Sequence, residues 1–176
     1  MMRLLLILFF AVSLMAGSLD KLLLKAQAGI FPKIMLLDKD IESKSRDNKL
    51  VLGIVYTKRE KRDAERLKEM FEEEHKDKLG TYKFEARLIG IENFDTDADI
   101  SAYYVFDTNV PEVSRVVRNA ANKKRICFSY NYRNFSDNVL IGLFVKEKTY
   151  IYLNKSALQA YNIKFVPIFY KIVKVI

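Results

Sequence analysis

Hydrophobic and polar positions alternate along this chain in blocks that read as strands and helices in turn. Lys49 to Tyr56 is a continuous apolar run rich in β-branched residues, the pattern of a strand buried on both faces in a parallel sheet covered by helices. From Glu60 to His75 the apolar residues Ala64, Leu67, Met70 and Phe71 recur at helical spacing among charges, so a surface helix lies on that sheet, with Thr57 placed to cap it. Tyr82 to Ile91 and Ala102 to Phe106 read as a second and a third strand. Pro111 suits the first turn of a helix capped by Thr108 or Asn109, and Val113, Val116, Val117, Ala120 and Ala121 then form one apolar stripe. Arg125 to Tyr130 is a fourth strand, and Leu140 to Lys146 with Thr149 to Leu153 form a hairpin about Glu147 and Lys148.

Two flanking regions complete the pattern. Leu19 to about Leu37 is helical, with Leu22, Leu23, Ala26, Ile30 and Ile34 as its apolar positions and Pro32 expected to kink or interrupt it. Asp38 to Asn48 is polar and charged, a loop. At the other end, helices are expected over Lys155 to Ala160 and Pro167 to Ile176. In the second, Ile168, Phe169, Ile172, Val173 and Ile176 share a face opposite Lys171 and Lys174, which is read as closing a core in preference to lying on a membrane. The order strand, helix, strand, strand, helix, strand predicts an α/β fold: a three-layer sandwich with a largely parallel central sheet, plus a C-terminal hairpin and helix. Such a sheet is either flavodoxin-like or half of a periplasmic-binding-protein fold. No repeat or Pro/Gly/Ser-rich break divides it, so residues 19–176 are read as one domain.

Residues 1–18 have a different character. Arg3 precedes an apolar block from Leu4 to Val12, followed by small residues at Ser13, Ala16, Gly17 and Ser18. This is the layout of a secretory signal, with cleavage expected after Ser18 or, as second choice, Ala16. The block is shorter than the roughly 20 apolar residues of a spanning helix, and Asp20 and Lys21 follow it closely. The expected destination is the periplasm.

Export changes how charge and cysteine are read. The net charge is +8, but Lys and Arg are dispersed among Asp and Glu, and an exported chain has no nucleic acid to meet. The leading reading is a solvated surface with modest excess charge; an acidic partner or an anionic membrane surface is the alternative. Cys127 is the sole cysteine, so no disulfide forms within the chain, and its apolar neighbours Ile126 and Phe128 mark it as a small buried hydrophobe.

The search for reaction chemistry returns little. His75, the one histidine, sits in a charged run whose residues point in different directions around a helix, so it reads as a solvated helix end and not a metal ligand. Asp95, Asp97 and Asp99 alternate like the start of a calcium loop, yet the central Gly is missing and Phe106 stands where the closing Glu belongs. No nucleophile motif or phosphate loop is present, so neither an enzyme nor a bound cofactor or metal is expected. The carboxyl ends of the expected strands carry Thr57 and Lys58, then Asp107 and Thr108, then Tyr130, Asn131, Tyr132 and Arg133. Open α/β sheets bind at these ends, and this mixture of hydroxyls, amides, aromatics and a guanidinium suits binding of a ligand or partner.

The segment from Tyr150 through Asn154, Ala157, Ala160 and Ile163 to the terminal apolar run resembles the ending of the YfiR-like periplasmic family. Leu24-Lys25-Ala26 with Phe31-Pro32-Lys33-Ile34 is similar to that family's opening helix, and Leu50 to Tyr56 falls where its first strand does. Before the penultimate strand only Gly142 and Phe144 match the family's glycine-rich pattern, and Cys127 stands alone where regulatory members carry paired cysteines. The resemblance implies a regulator that binds the periplasmic part of an inner-membrane signalling protein, typically a diguanylate cyclase in cyclic-di-GMP signalling, and holds it inactive. A homodimer is compatible with that role. From another class, a small-ligand binder resembling one lobe of a periplasmic solute-binding protein would use the same strand ends.

Overall fold

A computed structural model of the chain describes residues 21–95, 99–106, 111–130 and 138–176; the expected signal segment lies outside them. An eight-stranded sheet runs through the domain in the order β2-β3-β1-β4-β5-β6-β7-β8. The strands are β1 (Lys49–Tyr56), β2 (Lys78–Leu79), β3 (Tyr82–Gly90), β4 (Ala102–Val105), β5 (Ile126–Ser129), β6 (Ile141–Val145), β7 (Thr149–Leu153) and β8 (Val173–Val175). From β3 across β1, β4 and β5 to β6 every pairing is parallel, while β2–β3 and β6–β7 are antiparallel. Numbered by their own sequence, the five parallel strands lie 2-1-3-4-5, the flavodoxin-like order, whose direction of winding reverses between β1 and β4.

Alternation along the strands sorts the core into two layers. On one face Tyr104 and Phe128 meet α1 (residues 21–35) and α2 (Lys61–His75): the Phe31 ring stacks 4.5 Å from Phe128, and Phe71 stands edge-on to Tyr104 at 6.4 Å. The adjacent Tyr103 and Cys127 therefore face the other way. There α3 (Pro111–Asn122) and α4 (Lys155–Tyr161) pack together, with the Tyr161 hydroxyl donating to the Val117 carbonyl. The described residues between β3 and β4 form turns that place Phe94 and Ile100 in the core. Gly53 leaves room for this: a Cβ there would stand 2.7 Å from Ile89 and 3.2 Å from Ile100.

On the same face, β3 presents Glu85 and Arg87 in a partly exposed cluster with Lys49. The Arg87 hydrogen bond, joined by Lys49, holds the Glu85 carboxyl down at about 2. A depressed carboxyl stabilises the fold above its unfolded pKa, near 4.5, and that contribution is lost as pH falls toward 2. With solvent screening it amounts to about 1 kcal/mol or less. Urea midpoints of the wild type and Glu85→Gln should therefore differ at pH 6 and converge at about pH 2 to 3; a constant gap would remove the ion cluster as its cause.

Four expectations are corrected. Helix α1 runs unbroken through Pro32 to residue 35. Proline has no N–H to give the Ala28 carbonyl, and the buried His75 supplies it instead, its Nε2 lying 2.8 Å from that oxygen. His75 is thus an internal donor and not a solvated helix end, with its ring edge-on to Phe84 at 5.3 Å. The charged stretch after α1 is also no simple loop: it folds into a 3-10 turn (Ile41–Lys44) that buries Lys44 against the buried Asp38 carboxylate. Finally, the terminal helix is a single turn, α5 (Phe169–Ile172). Val173-Lys174-Val175 then alternate as the edge strand β8, parallel to β7, because β-branched residues at period two suit a strand.

Candidate functional site: the crevice at the strand-order reversal

The chain after β1 turns at once into α2. Thr57 is not the helix cap; Glu60 occupies that position, and its carboxylate accepts from both the Thr57 N–H and the Thr57 hydroxyl at 2.9 Å. This latch fixes a tight turn that leaves Lys58 and Arg59 exposed at the mouth of the crevice. Along α2, Arg62 and Arg66 extend the same basic edge into an open groove of about 490 Å³ that also carries Asp63, Glu65 and Glu69. Lys58, Arg59, Arg62 and Arg66 form no ion pair among the described residues.

An aromatic cluster closes the carboxyl ends of β4 and β5. Tyr104 and Phe106 meet edge to face at 5.2 Å, and Tyr130 lies 5.9 Å beyond Phe106 at the end of β5. A fully buried amide ties it together: Gln27 of α1 donates to the Tyr130 carbonyl at 2.8 Å and accepts from the Tyr104 hydroxyl at 2.7 Å. Burial pushes the Tyr104 phenol well above its ordinary value, so it stays protonated as a donor. Glu60 and Asp63 of α2 add their negative field to that effect.

Among the residues expected at this site, Thr57, Lys58 and Tyr130 stand at carboxyl ends of strands, with β4 between the strands that bear them. Asp107, Thr108, Asn131, Tyr132 and Arg133 lie outside the described residues. Gln27 and Glu60 went unrecognised in the sequence. A lone amide in the apolar run of α1 and a Thr-x-x-Glu spacing after a strand were their signals. Of the alternating aspartates, Asp95 accepts from Arg115 and Asn119, Asp99 pairs with Arg46 on another element, and Asp97 lies outside the described residues. Cys127 is buried, and burial pushes its thiol up to about 12. What stands exposed here is a pair of cations, Lys58 and Arg59, beyond the carboxyl end of β1, which can hold an anionic group by charge.

No family model and no curated protein matches the chain. Solved structures do. One is the ABC domain from Streptococcus pneumonia in complex with L-Trp, with a TM-score of 0.51, 12% identity, and coverage of 79% of this chain and 59% of that one. Another is a conserved domain protein from Vibrio cholerae, with a TM-score of 0.55, 12% identity, and coverage of 86% and 59%. The chain thus spans less than two thirds of either neighbour, and identity this low speaks for the fold alone: an α/β domain built on a mostly parallel sheet.

Proposed function

We propose that this chain is a binding domain that takes a small molecule carrying an anionic group at the carboxyl edge between β1 and β4. One observation carries the reading: the order of parallel strands reverses at that point, and the chain sets Lys58 and Arg59 there at the start of α2. A reversal opens a crevice because the connections on either side depart to opposite faces of the sheet. The first turn of α2 adds the positive end of its dipole to the two side-chain charges. The ligand complex of the pneumococcal neighbour, which holds L-Trp, supports a small-solute reading and suggests amino-acid-sized carboxylates as the first class to try.

The test is a thermal-shift and calorimetric screen of small carboxylates and phosphate monoesters. A ligand at a hundred times its Kd should add about 2.7 kcal/mol of stability. Lys58→Ala with Arg59→Ala should abolish that gain without changing the stability of the free protein. A folded chain that no member of the panel stabilises sets the reading aside.

A second reading, control of an inner-membrane signalling protein through direct contact, draws on the open grooves of mixed charge along both helical faces. One is the α2 groove; the other, about 400 Å³, is lined by Arg115 and Arg118 of α3, Lys123 just beyond its end, and Asp95. The arginines of each groove fit carboxylates on a partner surface. Recovery of a membrane sensor or diguanylate cyclase on the tagged domain, lost when Arg62 and Arg66 become Glu, would favour this reading over solute binding.

A further inference from the structure

The C-terminal segment presents a patch that neither reading uses. Ile168, Tyr170, Ile172, Val175 and Ile176 are the large hydrophobic side chains exposed there, each between 44% and 55%. They are not the fraying of a loose end. Phe165 and Phe169 are buried beneath them with rings 4.2 Å apart, the Val166 N–H donates to the Leu37 carbonyl at 2.8 Å, and Ile176 is hydrogen-bonded on both sides, to Leu153 and Lys155. An anchored segment therefore holds these aliphatic side chains outward.

The charge along this stretch of the chain has one sign. From Lys148 to Ile176 the chain carries Lys148, Lys155, Lys164, Lys171 and Lys174 and no Asp or Glu. Lys164, Lys171 and Lys174 lie on the segment itself, are exposed, and form no ion pair among the described residues; Lys174 rests over the Tyr150 ring. We propose that this patch rests on an anionic lipid surface, the isoleucines entering the boundary of the acyl chains and the lysines meeting the headgroups. Aliphatic residues ringed by lysine, with a tyrosine among them, are the composition of interfacial contacts. No described helix is long and apolar enough to cross a membrane, so the contact is peripheral. A second copy fits less well, since a two-fold contact here would bring Lys171 and Lys174 toward their own images. A partner strand would find only the three residues of β8 to pair with.

The test uses the chain from Leu19 onward, which keeps every described element and omits the apolar leader that would itself enter lipid. Flotation with phosphatidylcholine vesicles is compared with flotation on vesicles containing phosphatidylglycerol. Expected is binding to the anionic vesicles only, weakened by salt. It should fall roughly five-fold for each charge removed in Lys171→Gln and Lys174→Gln, and a comparable loss should follow Ile172→Ser with Ile176→Ser. Absence of binding by the folded protein, or equal binding by these variants, overturns the proposal. So does a concentration-dependent dimer in solution that the isoleucine pair of substitutions dissociates, because the patch would then belong to a second copy.

Discussion

Lys44→Met should lower the stability of the domain by about 3–5 kcal/mol, seen as a fall in the urea midpoint at constant slope. The Lys44 side chain is 5% exposed and that of Asp38 is fully buried, so removal of the ammonium strands a carboxylate away from water. The loss would spread beyond the pair. Asp38 also accepts from the Asp40 N–H at 3.0 Å, and the Lys44 carbonyl accepts from the Ser101 hydroxyl at 2.7 Å. Ser101 Oγ in turn receives the Val51 N–H, so the pair pins the 3-10 turn to the amino end of β1. Arg125, held below its usual value by burial, feels the same carboxylate. Adding Asp38→Asn to Lys44→Met should recover more than half of the loss, because the amide can still accept from Asp40 without a charge to strand. A double variant as unstable as Lys44→Met alone would show that packing of the lysine stem, and not the stranded charge, sets the effect.

The same pair shows where sequence reasoning stops. The strands β1, β3, β4, β5, β6 and β7 and the helices α2, α3 and α4 are legible because each repeats apolar residues over two or more turns or strand periods. Periodicity reports the side an element buries. It says nothing of a buried polar group whose partner lies far away in sequence or on a charged connection. Asp38 and Lys44 sit in a stretch that composition marks as solvent-facing, and tertiary contacts, the Ser101 hydroxyl on the Lys44 carbonyl and the Asp38–Phe165 bridge, turn it inward. Gln27 meets partners at Tyr104 and Tyr130, both more than seventy residues on. The C-terminus fails for a different reason: Ile172-Val173-Lys174-Val175-Ile176 satisfies a helical stripe and a two-residue alternation at once, and the free edge of β7 decides for the strand. At the crevice, fold position led to Thr57, Lys58 and Tyr130, whereas the latch that shapes the turn, Glu60, needed geometry.

Pro32 and His75 offer a case in which one residue explains the other, and a thermodynamic cycle can measure it. A proline in the body of a helix leaves the carbonyl four residues back without its donor, here Ala28. A buried carbonyl so orphaned is costly, and His75 at the end of α2 reaches across to it. Because a carbonyl can only accept, Nε2 carries the proton, and the ring spans α1 and α2 in that tautomer. His75→Phe keeps a ring against Phe84 and removes the donor, so the domain should lose about 1–3 kcal/mol. In a Pro32→Ala background the new N–H at position 32 can serve the Ala28 carbonyl from within the helix. There His75→Phe should cost at least 1 kcal/mol less, a coupling energy of the size found for groups that share one acceptor. Equal costs in the two backgrounds would mean that His75 contributes through ring packing alone and that water, or a distortion of α1, serves the carbonyl. The predicted coupling instead makes the proline tolerable in α1 only while α2 is docked, which ties formation of the first helix to that of the βα unit beneath it.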